Sequence, residues 1–529
     1  MRTLACGVGI GSFLVLVGAL AIGLVPWMVH NGIRDLVKME TPSSPLYESF
    51  KNSSAKGVHV YKTFYLYHVK NPWDASMGVG PNLTSVPPDV ELLGPFTVRE
   101  FETYNESVSR WLPNATFRYR SFTTYEPVSG DFDQVITTPQ LSVFAFRKAL
   151  GLVDRILHNN PEDEAWVDWL VNLDIHLHKG VTVGPLFVNK TVREILWGYD
   201  DPLADFLATT FGKTPAPMAL NADTNATDYA TGATEDECYT GGDPSNTSPP
   251  VPENSYRWMT MWHNIRVADY WGTVEANTIA GTDATAFHAF IKKGEALLVW
   301  VNSLLRKVYL TYQKEVVHRG ITTYRHIIDP AALDASNPEN GAYFMTNDGW
   351  IPSPPNVTTM PVNFTKALYL DADKSIVDVT GMPEVGSPEW PRESVDTFLD
   401  IEPLTGTLVN VHKRIQVSVD LNQFKWAMPT LNKKSPVAWE KIKVFAHAHP
   451  TYLPVFFLDQ HMSLPDKIIN DLKKAIFIPL LLSKVLGGLA VAIGAVVVIA
   501  SIVVRILAVR REERNYQSHE FYHLVNDDK

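Results

Sequence analysis

His519-Glu-Phe-Tyr-His523 spells HExxH, in which two imidazoles one helical turn apart hold zinc and the glutamate activates a water. That chemistry needs a long helix in a packed core, a third ligand and a substrate cleft. A 25-residue C-terminal tail has room for none of them. Phe211-Gly-Lys-Thr214 ends like a phosphate-binding loop, but Leu207 stands where the first glycine belongs. His447 and His449, two apart in a segment that reads as a strand, would point the same way and could share a metal, yet no third ligand accompanies them. No Gly-x-Ser-x-Gly element occurs. Cys6 lies at the edge of an apolar run and Cys238 in a polar loop, with no Cys-x-x-Cys spacing. The reading is of a chain that is not an enzyme, with no catalytic residue, cofactor, metal site or disulfide.

The remaining chemistry is that of modification and recognition. Asn52, Asn82, Asn105, Asn114, Asn189, Asn225, Asn246, Asn356 and Asn363 each begin N-x-S/T without proline at x, the acceptor for N-glycosylation. Tyr522-His-Leu-Val525 fits Tyr-x-x-bulky-apolar, a tetrapeptide that a flexible tail can extend onto a cytosolic sorting adaptor. Cys6 is a candidate for palmitoylation, with packing inside a membrane helix as the alternative.

These sites need a membrane to divide them. Leu4–Val29 holds 26 residues without a charge, too long for a cleaved signal and without an Ala-x-Ala after it. Val485–Val504 holds another 20, enough to cross about 30 Å of hydrocarbon at 1.5 Å per residue. Arg505, Arg510, Arg511 and Arg514 follow the second run, which places the tail in the cytosol. All nine sequons lie between the runs. The expected layout is a cytosolic N-terminus 1–5, a membrane helix 6–29, a glycosylated lumenal or extracellular ectodomain 30–483, a membrane helix 484–504 and a cytosolic tail 505–529. Gly7 with Gly11, and Gly488 with Ala492, are small-xxx-small pairs that would let helix backbones approach. With 45% apolar and 19% charged residues, the chain is neither disordered nor a polytopic transporter. Its net charge of −11 argues against nucleic-acid binding.

Within the ectodomain, residues 58–69 are rich in β-branched and aromatic types and read as a strand. Phe146, Leu150, Val153 and Leu157 repeat at helical spacing. A second helix is expected from an Asn160 cap with Pro161 at its first position, burying Trp166, Trp169, Leu170, Leu173 and Leu177. Thr191-Val-Arg-Glu194 is a capping box that opens a third. Residues 214–255 read as exposed loops. Between 407 and 419, Val409, Val411, Lys413, Ile415 and Val417 alternate with Asn410, His412, Arg414, Gln416 and Ser418, a strand with one solvated face. The fold class is α+β.

Several segments resemble the class B scavenger receptors. They are Leu93-Gly-Pro-Phe-Thr-Val-Arg99, Trp197-Gly-Tyr-Asp-Asp201, Asn277-Thr-Ile-Ala-Gly-Thr-Asp283, Leu399-Asp-Ile-Glu-Pro-Leu-Thr-Gly406 running into His412-Lys-Arg-Ile-Gln-Val417, and Tyr452-Leu-Pro-Val-Phe-Phe-Leu458. They fall in order from about residue 33 to the second span. The resemblance implies an antiparallel β-barrel-like ectodomain core, a helical bundle over 141–198 at the membrane-distal apex and a hydrophobic tunnel. It also implies a receptor for lipids or lipoproteins (fatty acid, sterol, phospholipid). The chain departs from the family in having only Cys238 in the ectodomain and His288-Ala289 in place of paired prolines.

Trp166, Trp169, His176, His178 and Lys179 are the candidate apex residues for a ligand or partner. Around them Asp154, Glu162, Asp163, Glu164, Asp168 and Asp174 oppose only Arg155 and Lys179, so the apex would repel anionic particles at neutral pH. His158, His176 and His178 could add charge in endosomal acidity. The leading expectation is a scavenger-type receptor that passes hydrophobic cargo through its ectodomain, at the plasma membrane, the endosome–lysosome or both. The alternative is a lysosomal or endosomal sorting receptor for a hydrolase cargo, bound at the apex with pH dependence. A third is a structural glycoprotein that protects an organelle membrane.

Overall fold

A computed structural model describes residues 2–37, 41, 43–44, 47, 58–104, 110–112, 116–119, 121–210, 230–233, 237–240, 258–262, 265–355, 357 and 361–526. Two compact units emerge: residues 37–464, and the two terminal segments 1–36 and 465–529.

The terminal unit is built from α1 (Arg2–Val37) and a C-terminal helix (Ile478–Asn526), both long and apolar enough to cross a membrane. Glycines bring the two together. A Cβ on Gly11 would lie 2.7 Å from the Gly494 carbonyl oxygen, and one on Gly494 would lie 2.5 Å from that of Gly11. Gly18 and Gly487 repeat the arrangement one heptad away, and Gly7 faces Ser501. Such bare backbone is what allows helices to pack where lipid tails leave no hydrophobic driving force. The expectation for Gly7 and Gly11 therefore holds, while Gly488 has open space around it and Gly487 and Gly494 take the part given to it. The C-terminal helix also continues to Asn526 where a flexible tail was expected, because residues 505–526 contain neither glycine nor proline. His519, Tyr522, His523 and Val525 thus lie on helical backbone.

The larger unit is organised by a 12-stranded antiparallel sheet. Its strands include β1 (Val60–Val69), β2 (Val90–Tyr104), β3 (Ser121–Ser129), β4 (Leu297–Val301), β5 (Arg306–His318), β6 (Ile321–Ile328), β7 (Phe398–Glu402), β8 (Thr407–Asp420) and β9 (Tyr452–Ser463). In space they run β4-β5-β6-β7-β8-β9-β1-β2-β3, with Ala230–Ala233 beyond β3 and Val362–Thr365 paired to β8. The expected barrel-like closure is not found: the sheet is open, and among the described residues its two ends do not pair. One end is already occupied, since β4 meets Thr282 through an isolated parallel bridge.

Two motif glycines are steric requirements of this sheet. Gly94 has φ +138°, and a Cβ there would lie 2.9 Å from the Phe64 carbonyl oxygen on the neighbouring strand. Gly406, at φ +71°, closes the β7–β8 turn against the Phe287 backbone. That turn is bound to Glu402, whose carboxylate accepts from Leu404 N (2.9 Å), Thr405 N (2.8 Å) and Thr405 Oγ1 (2.6 Å).

The helices form as the sequence spacing predicts, with shifted ends. α2 (Leu141–Asn159) buries Phe146, Leu150, Val153 and Leu157. α3 (Glu164–His178) starts three residues later than Pro161, because Asp163 accepts from Trp166 N while Asn160 closes α2 instead. α4 (Val192–Trp197) has its capping box complete: Glu194 N donates to Thr191 Oγ1 and Thr191 N donates to Glu194 Oε2. Their apolar faces, with α5 (Pro202–Thr210), α6 (Pro429–Lys434) and α7 (Pro436–Lys443), share one core with β1, β8 and β9. The supposedly solvated face of β8 is largely covered. Arg414, Gln416 and Ser418 are buried, with Gln416 accepting from Tyr67 Oη (2.9 Å) and Leu368 N (2.9 Å).

Candidate functional site

The candidate residues along α3 and at its C-terminal end divide into core and surface. Trp169 is buried and Trp166 half-buried, their rings 6.0 Å apart and edge to face. Their apolar surface is largely spent on the core. His176, His178 and Lys179 are exposed. His176 and His178 each place Nδ1 2.7 Å from the carbonyl one turn back, at Asn172 and Asp174, which leaves Nε2 directed away from the helix backbone. The acids nearby are not all free. Asp154 is buried and accepts from Leu431 N (2.7 Å), and Asp174 takes the Ser435 hydroxyl. Glu162, Glu164, Asp168 and His158 remain exposed. Val171 and Ile175, one turn apart on the same helix, are 54% and 42% exposed, an apolar pair rimmed by Asp168 and Glu164.

A second concentration of chemistry lies on the central strands. Cross-strand register aligns Tyr61, His461, His412 and Phe398 from β1, β9, β8 and β7 on one face. Their rings stack in sequence at 5.5, 5.3 and 5.1 Å, and the Arg325 guanidinium covers Phe398 at 3.8 Å. Every charge in this row has a partner. Arg325 donates twice to Asp400 (2.7 Å each), which also meets His318 Nε2 at 2.7 Å. Arg414 Nε lies 3.0 Å from Asp459 Oδ2, and His412 Nδ1 lies 3.0 Å from the same carboxylate. Burial works against the Asp459 carboxylate, but His412 and Arg414 outweigh it and hold its pKa below the ordinary range. Burial pushes His461 down.

His412, Asp459 and His461 together have the composition of a metal site. The Arg414 guanidinium, however, sits 2.7 Å from His412 Nδ1 and 3.0 Å from Asp459, so a cation already fills the place of an ion. We read the cluster as a structural ion network.

The opposite face of the same strands is different. Its successive rows are Val411–Met462–Val60, Lys413–Gln460–Lys62, Ile415–Leu458–Phe64 and Val417–Phe456–Leu66. Three rows are apolar and one is not. In the polar row, Lys62 pairs with Glu100 at 2.7 Å and donates to Tyr125 Oη at 2.7 Å, and Gln460 Nε2 donates to Glu100 Oε1 at 3.2 Å. Burial opposes the Lys62 charge, but Glu100 and Tyr125 outweigh it and raise its pKa. Lys413 has no hydrogen-bond or ion-pair partner among the described residues, and burial lowers its pKa. Its signal was present in the sequence, as a lysine written into the apolar positions of an alternating strand.

The other motif residues are accounted for by structure. Asp201 is buried, accepts from Ser142 Oγ (2.6 Å) and caps α5 through Leu203 N (3.0 Å). Asn277 is buried and clamps the Trp271 backbone at both N and O (2.8 Å each). His447 falls in a turn and His449 in the irregular stretch after it, neither in a strand. His449 pairs with Asp378 at 2.7 Å, while His447 is exposed. Cys238 lies in a short strand, Glu237–Thr240, between Thr116–Tyr119 and Met259–Met261, and not in a loop. Cys6 is exposed on α1 with a free thiol. Of the sequons, Asn82 and Asn189 are exposed and Asn363 half-buried. Asn52, Asn105, Asn114, Asn225, Asn246 and Asn356 lie outside the described residues.

A family model described as "CD36 family" matches residues 9–505. Among similar proteins, scavenger receptor class B member 1 of Rattus norvegicus is 25% identical over 486 residues, covering 89% of this chain and 83% of its own. Lysosome membrane protein 2 of Homo sapiens is 23% identical over 456 residues, covering 83% and 82%. Scavenger receptor class B member 1 of Bos taurus is 24% identical over 448 residues, covering 81% and 78%.

Proposed function

The chain belongs to the CD36 family, and from that premise we propose that it is a two-pass membrane glycoprotein receptor that binds lipid or lipoprotein and passes hydrophobic cargo through its ectodomain. Both termini are cytosolic in this reading, and the nine sequons are on the far side of the membrane. The observation that carries it is the family match over residues 9–505, joined to two helices of membrane-spanning length. The apolar rows on β8, β9 and β1 add a physical reason, since each methylene buried is worth about 0.8 kcal/mol. A long chain can be held by such surface with few polar anchors.

The test is selective uptake. Cells expressing the full chain are given lipoprotein carrying a labelled sterol ester in its lipid and a second label on its protein. Uptake of lipid in excess of protein, relative to cells without the chain, is the expected result. Equal uptake of both labels, or none above background, would overturn the transfer reading.

A second reading is a sorting receptor for a lysosomal hydrolase. The exposed Val171–Ile175 pair with its acidic rim favours it, because such a patch suits a protein surface better than an anionic particle. Affinity purification of the full chain at pH 7.4 separates the two: a hydrolase that is retained by the native chain and lost with Val171→Asp supports sorting.

A further inference from the structure

We infer that the oligosaccharide on Asn82 folds back over Trp73 and Leu83, so that a modification of the chain covers its own exposed apolar patch. This rests on the reading that places residue 82 outside the cytosol.

The patch comes from one short excursion of the chain. Residues 70–89 leave the sheet after β1 and return to it at β2. Asn71 staples the base: its Nδ2 donates to Pro87 O (2.9 Å) and its Oδ1 accepts from Asp89 N (2.7 Å). Inside the excursion a short helix, Pro72–Met77, buries Ala75 and Ser76, and Ala75 O accepts from His449 N (3.0 Å). Residues 79–84 then close a tight hairpin, with Val79 and Thr84 exchanging hydrogen bonds at 2.8 and 2.9 Å. The hairpin is pressed on the helix end, where a Cβ on Gly78 would stand 2.5 Å from the Leu83 carbonyl oxygen. These contacts fix the backbone, so what it exposes is a property of the fold.

Trp73 is 70% exposed, more than any other tryptophan among the described residues, and Val79 and Leu83 are 40% and 42% exposed. Single exposed apolar side chains need no explanation, but three on one rigid excursion form a patch that calls for a cover. The cover is written into the same hairpin. Asn82-Leu83-Thr84 is an N-glycosylation sequon, with Asn82 and Thr84 exposed and Leu83 itself part of the patch. The link forms when the Asn82 Nδ2 loses a proton and attacks the anomeric carbon of a sugar carried on a polyprenyl diphosphate, which leaves. The helix is only about 9 Å long, so Trp73 near its start is within the span of a branched oligosaccharide rooted beyond its end. A pyranose ring has a face of C–H groups and an edge of hydroxyls. The face suits the indole and the edge suits water, so the glycan hides the patch without making a new one. A partner protein would meet that bulky, hydrated group first.

The experiment uses the full chain purified from membranes, with oxidation of each tryptophan by hydroxyl radicals read peptide by peptide. Asn82 is expected to be glycosylated, and Trp73 to be oxidised several-fold more slowly in the native glycoform than in Asn82→Gln. Trimming the glycan to a single sugar with an endoglycosidase should give an intermediate rate. Trp426, which is 59% exposed, is the internal control and should not change. Thr84→Ala removes the sequon but keeps the asparagine and should reproduce Asn82→Gln; the trimmed native chain carries the test if neither variant folds. Trp73→Ala should lower Tm by about 1–2 °C in the glycosylated chain and leave it unchanged in the Asn82→Gln background. One oxidation rate for Trp73 in all glycoforms, or an equal loss of Tm in both backgrounds, would overturn the inference. So would an unmodified Asn82 beside other occupied sequons. If no sequon is occupied, the topology reading falls with it.

Discussion

The two faces of β8, β9 and β1 are built on the same residues in alternation, yet they treat charge in opposite ways. On one face, Tyr61, His461, His412 and Phe398 stack across four strands, and Arg325, Asp400, His318, Arg414 and Asp459 close every ionic contact among themselves. On the other, apolar rows flank one lysine paired with Glu100, Lys62, and one without an ion-pair partner among the described residues, Lys413. A fully satisfied network fixes register and rigidifies a sheet, whereas an unpaired charge on an apolar strip stabilises nothing within the chain. The first face is explained by folding alone. The second leaves one half-buried lysine without a partner among the described residues.

The contrast can be broken most forcefully at Asp400, which is completely buried. Asp400→Ala leaves Arg325 and His318 without their carboxylate and should cost about 3–5 kcal/mol of stability, read by denaturant or thermal unfolding of the full chain. A neutral result would mean that the ring face is not structural. Glu100→Ala, on the opposite face, strips Lys62 of its partner and should cost about 2–3 kcal/mol, the penalty of an orphaned buried charge that retains one hydrogen bond. Lower pH should act more weakly. Burial lowers the pKa of His461 on the ring face and of His326, which stands opposite Leu399 on the other face, so the unfolded chain takes up their protons first as pH falls below about 6.5. Their share of stability is therefore lost on acidification, offset in part by Glu402 and Asp420, whose pKa burial raises, and Tm should be about 1–3 °C lower at pH 5 than at pH 7.4. Asp459, held below the ordinary carboxylate range, adds nothing to that change, because its contribution is lost only at still lower pH. His461→Phe should flatten part of the drop. The smallest effect belongs to Lys413→Met, with stability unchanged or raised by up to about 1 kcal/mol, since a half-buried charge without an ion-pair partner among the described residues is exchanged for an apolar side chain of similar length. Marked destabilisation would show that Lys413 supports the fold.

What the sequence discloses follows how local each cause is. The Thr191–Glu194 capping box is four residues long and folds as read, and the apolar spacing of α2 and α3 places their buried faces correctly. The start of α3 was misplaced because Asn160-Pro161 looks like a helix entry, whereas Asp163 is the residue whose side chain reaches Trp166 N. The period of β8 was legible, but not the covering of its polar face. Gln416 is buried by Tyr67 and Leu368, 349 and 48 residues distant in the chain. The same non-local problem hid the open ends of the sheet, the turn and irregular stretch that hold His447 and His449, and the pairing of Gly11 with Gly494. The ring ladder was invisible, since its members come from three separate stretches of sequence. Lys413 was the reverse case: a purely local anomaly, present in the strand alternation, whose meaning required its neighbours.

Whether the larger unit holds lipid is decided by native mass spectrometry of the full chain purified from membranes. A lipid of defined mass and fixed stoichiometry, retained at pH 7.4 and released by organic extraction, is the predicted result. Protein that carries no lipid at either pH 7.4 or pH 5 would contradict it.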